Sequence, residues 1–118
     1  MKQRASKWSP VVAVGLHECC LWILRQRYRV RVDGHSMEPA LSHGSHVLVR
    51  KGAQPVVGDI VLCDHPYQSD MRVLKRVETI DDEALFLLGD NPEESTDSRS
   101  FGPVPLARLI GVVTSKMG

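Results

Sequence analysis

Polar and apolar positions along the chain change period near residue 27. From there the period is two: Arg27, Arg29 and Arg31 alternate with Tyr28, Val30 and Val32, which predicts a strand with a basic face and a dry face. Similar short runs at His46–Arg50, Asp59–Asp64, Arg72–Ile80, Ala84–Leu88 and Val112–Ser115, parted by Gly, Pro and Asp, predict further strands. Ahead of them Val12, Leu16, Cys19, Cys20 and Ile23 recur at helical spacing, with Ser9 and Pro10 as N-cap and first turn. The predicted fold class is therefore mainly β: a single small antiparallel β domain over 27–118, preceded by one amphipathic helix in a basic segment, 1–26. With 118 residues there is material for one core and not for two.

One long stretch has neither period. Gly89 to Pro103 is polar, and loops of that length within a small domain are functional or disordered. Asp90, Asn91, Ser95, Asp97 and Ser98 carry side chains that bond nearby backbone, which favours an ordered loop.

Composition and charge narrow the classes. At 42% hydrophobic and 25% charged the chain is globular in composition. Six aromatic residues give few platforms for stacking bases, so no nucleic-acid partner is expected. The net charge of +1 hides an asymmetry: residues 1–31 carry seven basic groups against Glu18 alone. A basic end on an acidic body suits an anionic partner, either a lipid surface at the membrane periphery or an acidic protein face. The apolar stretch Val11–Leu24 is interrupted by His17 and Glu18 and falls short of the roughly 20 residues that span a bilayer. Three cysteines, two of them adjacent, make no disulfide framework and fit a reducing compartment, so a cytoplasmic location is expected.

Two residues offer chemistry. Ser36 lies in Gly34-His35-Ser36-Met37-Glu38-Pro39, directly after a strand, where backbone N–H groups can meet an oxyanion. Lys75 shares a strand face with Val73 and Val77, so it points into the core if they do; the alternative is a wet face carrying all three. Desolvation disfavours an ammonium, and a neutral Lys75 could take the proton of Ser36 as general base and return it to a leaving amine. Such a Ser–Lys dyad requires no metal or other cofactor.

The same residues carry a resemblance. Gly34-His35-Ser36-Met37-Glu38-Pro39-Ala40-Leu41, Gly58-Asp59-Ile60-Val61, Lys75-Arg76-Val77 and Gly89-Asp90-Asn91-Pro92 through Asp97-Ser98-Arg99 and Phe101-Gly102 follow in the order of the type I signal peptidase family of Ser–Lys proteases. The His65-Pro66-Tyr67-Gln68 stretch and the run Ser95–Gly102 are most similar to the small proteases that mature nickel-type superoxide dismutase. The resemblance implies Ser36 as nucleophile and Lys75 as base, Ser95 as orienter of the lysine amine, and Asp97, Arg99 and Arg76 as a supporting ion network. It implies a precursor protein as partner, the nickel superoxide dismutase propeptide. Two positions depart from the family pattern: Gly34 stands where some members carry a hydroxyl, and Ser45 where an acid is expected.

Three other readings compete. Self-cleaving repressors also use a Ser-Met turn and a strand lysine, but they carry a DNA-binding module, for which about 27 residues leave little room. A metal-delivery module would draw on His43, His46, Cys63 and His65, which lack the two tight ligand pairs of zinc motifs, and a non-catalytic β domain that binds a partner is a separate alternative.

Overall fold

The computed structural model describes residues 27–117. The predicted amphipathic helix lies outside the described residues. Seven antiparallel strands follow among them: β1 (Arg27–Arg31), β2 (His46–Lys51), β3 (Ile60–Asp64), β4 (Arg72–Ile80), β5 (Ala84–Leu88), β6 (Val104–Pro105) and β7 (Leu109–Met117). They form one sheet in the order β1-β2-β7-β3-β4-β5-β6. The mainly β architecture expected from the period-two runs is the one observed.

Hairpins account for β1-β2 and for the β3-β4-β5 meander, whereas β7 enters between β2 and β3 and joins the two groups. It pairs with β2 through Leu48↔Ser115 and Arg50↔Val112, and with β3 through Val61↔Val112. Gly111 makes that crossing close, because a Cβ there would stand 2.5 Å from the Arg50 carbonyl oxygen.

Register shifts at Leu48/Val49, Leu62/Cys63 and Val77/Thr79 disrupt the ladders at three places, and such irregularities bend and twist strands. Two hydrophobic clusters result. One gathers Val61, Val73, Val77, Leu85, Leu87, Phe101 and Val104; the other gathers Val32, Met37, Leu41, Val47, Val49 and Leu62. Each fully buried Val or Leu contributes on the order of 1.5–3 kcal/mol.

The long loop is ordered, as its side chains suggested. It holds a 3₁₀ turn at Pro92–Glu94 and a single helical turn, α1 (Ser98–Phe101), capped by the Asp97 carboxylate, which accepts from the Arg99 N–H. The Ser98 hydroxyl accepts from Leu87 N–H at 2.9 Å and ties the loop back to β5.

Candidate active site

Ser36 lies on the excursion between β1 and β2. The excursion is closed at its base, where Val32 N–H donates to Ser45 O and Gly44 N–H to Val32 O, both at 2.8 Å. Val32, Met37 and Leu41 are buried, so the turn is anchored in the core on both sides of the serine. Gly34 has φ +92°, a conformation that a side chain disfavours, and its N–H donates to His43 Nδ1 at 2.7 Å. This accounts for glycine where some signal peptidases carry a hydroxyl. The second departure, Ser45, is used locally: its hydroxyl donates to Ser42 O.

The Gly89-Asp90-Asn91 corner grips this turn from the far end of the chain. Asn91 N–H donates to Ser36 O at 2.8 Å, and the Asn91 amide donates to His35 O at 3.0 Å. Among the described residues the Ser36 N–H and hydroxyl have no partner, which leaves both available to a ligand. Gly89 has no room for a side chain, since a Cβ would meet Ser95 Oγ and stand 2.9 Å from Ser36 O. Ser36 and Ser95 therefore flank one point in space.

Lys75 resolves the alternative left by the strand pattern. It is 5% exposed, between buried Val73 and Val77 on the inner face of β4. Its Nζ donates to Ser95 Oγ at 3.3 Å. Burial pushes the lysine below its ordinary pKa, and the negative charge of Asp97 partly opposes the shift. Ser36 and Lys75 line one cavity of about 590 Å³; no hydrogen bond joins them, and the amine rests on Ser95.

Behind Ser95 stands Asp97, 1% exposed. Its carboxylate accepts from Ser95 Oγ at 3.2 Å, from Gly89 N–H at 2.9 Å, and from Arg99 through Nε at 3.0 Å and Nη2 at 2.6 Å. Burial alone would raise the Asp97 pKa. The hydrogen bonds from Arg99 and Gly89, with the guanidinium charge, outweigh it and hold the carboxyl well below the usual carboxylate range. Lys75 donates to Ser95 and Ser95 to Asp97, a donor chain that runs from the cavity to a fixed negative charge.

Arg76 is not part of that chain, contrary to the expected network of Asp97, Arg99 and Arg76. Strand parity turns it away from Lys75, to the other face of β4. There it makes a two-pronged pair with Asp90, through Nε at 2.9 Å and Nη2 at 2.7 Å, and Nη1 donates to Gly58 O at 2.8 Å. Its role is to pin the Gly89-Asn91 corner, and through Asn91 the Ser36 turn. Asp90 and Asn91, expected to bond their own loop, reach Arg76 and the Ser36 turn instead, long-range partners that carry no signal in local spacing.

Among the described residues no three His, Cys, Asp or Glu side chains converge as metal ligands would. His43 Nδ1 already accepts from Gly34 N–H, and His65 Nδ1 from the N–H groups of Tyr67 and Gln68. Cys63 is buried, which pushes its thiol up to about 12 and leaves it unreactive.

The sequence profile of the Peptidase S24-like family matches residues 14–113. The chain belongs to that family. Its match takes in residues 14–26 as well as the β domain. This S24-like chain is also similar to mitochondrial inner membrane protease subunit 1 of Schizosaccharomyces pombe, with 27% identity over 109 residues, covering 72% of this chain and 69% of that protein. Family and relative together support protease-type processing. Among the described residues no helix is long and apolar enough to cross a membrane.

Proposed function

We propose that this S24-like protein is a serine endopeptidase in which Ser36 is the nucleophile and Lys75 the general base, and that it removes an amino-terminal propeptide from a precursor protein. The observation that carries the reading is a buried lysine with a lowered pKa, held by Ser95 in the cavity that Ser36 also lines. Neutral Lys75 Nζ takes the Ser36 Oγ proton as Oγ adds to the scissile carbonyl carbon. The Ser36 N–H, without a partner among the described residues, donates to the resulting oxyanion. Collapse breaks the C–N bond, and the Lys75 ammonium returns its proton to the departing amine. A water, deprotonated by the same amine, then releases the acyl group and restores the Ser36 hydroxyl.

Ser95 and Asp97 act as positioning residues, since the donor chain from Nζ to Asp97 fixes the amine. Nickel-type superoxide dismutase is the proposed precursor, supported by the resemblance of the His65–Gln68 and Ser95–Gly102 stretches, which meet in the fold where His65 packs on Phe101. The test is incubation of purified precursor with the wild type, Ser36→Ala and Lys75→Ala, read by mass with chelator present. A single amino-terminal cut is expected, unaffected by chelator, lost with Ser36→Ala and slowed about 10²–10⁴-fold with Lys75→Ala. A cut that persists in Ser36→Ala would sink the dyad; no cut by the wild type would remove this precursor as substrate.

A further inference from the structure

His65, which the donor chain does not use, lines the same cavity as Ser36 and Lys75 and is only 6% exposed. It opens the β3–β4 connection, where its N–H donates to Met71 O at 2.8 Å. Its Nδ1 accepts from two backbone donors, Tyr67 N–H at 3.0 Å and Gln68 N–H at 3.2 Å. Two donors aimed at Nδ1 leave the ring proton on Nε2. The ring is held in place by Phe101 of α1, with centroids 4.8 Å apart and planes tilted by 60°.

The Nε2–H has no partner among the described residues and keeps some accessible surface, since the one sealed and unpartnered side-chain nitrogen or oxygen among them is Arg27 Nε. An oriented donor on a residue that lines a cavity can trade water for an acceptor on a ligand bound there. Within 590 Å³ that also holds the candidate nucleophile, the acceptor in greatest supply on an extended peptide is a backbone carbonyl oxygen.

The geometry points to His65 Nε2–H as a substrate-binding donor that takes a backbone carbonyl of the peptide lying across Ser36. This rests on the peptidase reading above, and its role is to hold the chain beside the nucleophile. It moves no proton.

Two substitutions separate this role from the structural one. Asn at 65 keeps an acceptor at the place of Nδ1 and so keeps the turn, but it lacks a donor at the place of Nε2. Gln extends an amide to the place of Nε2 but gives up the Nδ1 acceptor. Kinetics on the nickel superoxide dismutase precursor, with peptide binding measured in a Ser36→Ala background using a synthetic peptide spanning its processing junction, give the readout. His65→Asn is expected to lose only the packing of the ring on Phe101 and so to be more stable than His65→Gln, while KM and the peptide Kd rise about tenfold. His65→Gln is expected to lose stability yet bind the peptide more tightly than His65→Asn. The reverse order, with Asn at wild-type affinity and Gln impaired, would show that His65 only shapes the turn and would overturn the proposal with the dyad intact. His65-dependent peptide binding without cleavage by the wild type would support the donor and remove this precursor as a substrate of the peptidase. Absence of both binding and cleavage would remove this precursor as substrate and overturn the proposed contact with it.

Discussion

Burial of Lys75 is expected to cost the fold stability. Burial disfavours its ammonium, so between its folded pKa and the ordinary value of about 10.4 the unfolded chain binds more protons, and stability rises with pH across that window. Lys75→Met, of similar volume and without charge, is expected to abolish cleavage while raising Tm at pH 7 by about 4–8 °C, equivalent to about 1 kcal/mol. The gain should shrink by about pH 11.5, above the ordinary value of about 10.4, where the wild-type lysine is neutral in both states. Calorimetry at the two pH values checks this; a lower Tm for the methionine variant at pH 7 would mean that the Ser95 contact outweighs the desolvation of the amine. Asp97 has the opposite sign. Its depressed pKa is a contribution present above about pH 4 and lost as the carboxyl takes up a proton in stronger acid. A site residue that weakens the fold is thus backed by one that strengthens it.

At the scale of elements, the strand pattern was legible to within a residue or two for β1 to β5, because each shows alternation or a short apolar run closed by turn residues. β6 was not, since two residues including a proline show no period. β7 was expected only over Val112–Ser115. It starts at Leu109, and as an interior strand covered on both faces in its first half it reads as a continuous apolar run instead of an alternation. Lys75 was readable from parity with Val73 and Val77, and the same parity places Arg76 outward, where its partner Asp90 is fourteen residues away. What spacing could not reveal is the packing of the Gly89 corner against the Ser36 turn, an encounter between the first connection and the long loop. Gly89→Ala tests that encounter. The added methyl must displace Ser95 or the Ser36 backbone, so activity is expected to fall about a hundredfold, as small misplacements of reacting groups do. Stability should fall by about 1–3 kcal/mol, the cost of overpacking. Denaturant midpoints beside kcat measure both, and wild-type kcat would show that the corner does not set the geometry of the site.

For the whole molecule, sheet pairing divides into β1-β2 on one side and β3 to β6 on the other, with β7 as the bridging strand. Ser36 belongs to the first group and Lys75 to the second. Truncation after Arg108 is expected to leave a chain with no cooperative unfolding transition and no cleavage, because the edges of β2 and β3 would face each other without a strand between them. A sharp thermal transition in the truncated chain would show that the contacts of Asn91 and the shared core hold the halves together without it. The strand order also bears on biosynthesis. Segments leave the ribosome in sequence, and the serine and the lysine are both made well before Leu109–Met117. The strand that joins their halves is made after both, so a nascent chain that has not reached Leu109 carries Ser36 and Lys75 on two groups of strands without the one that bridges them.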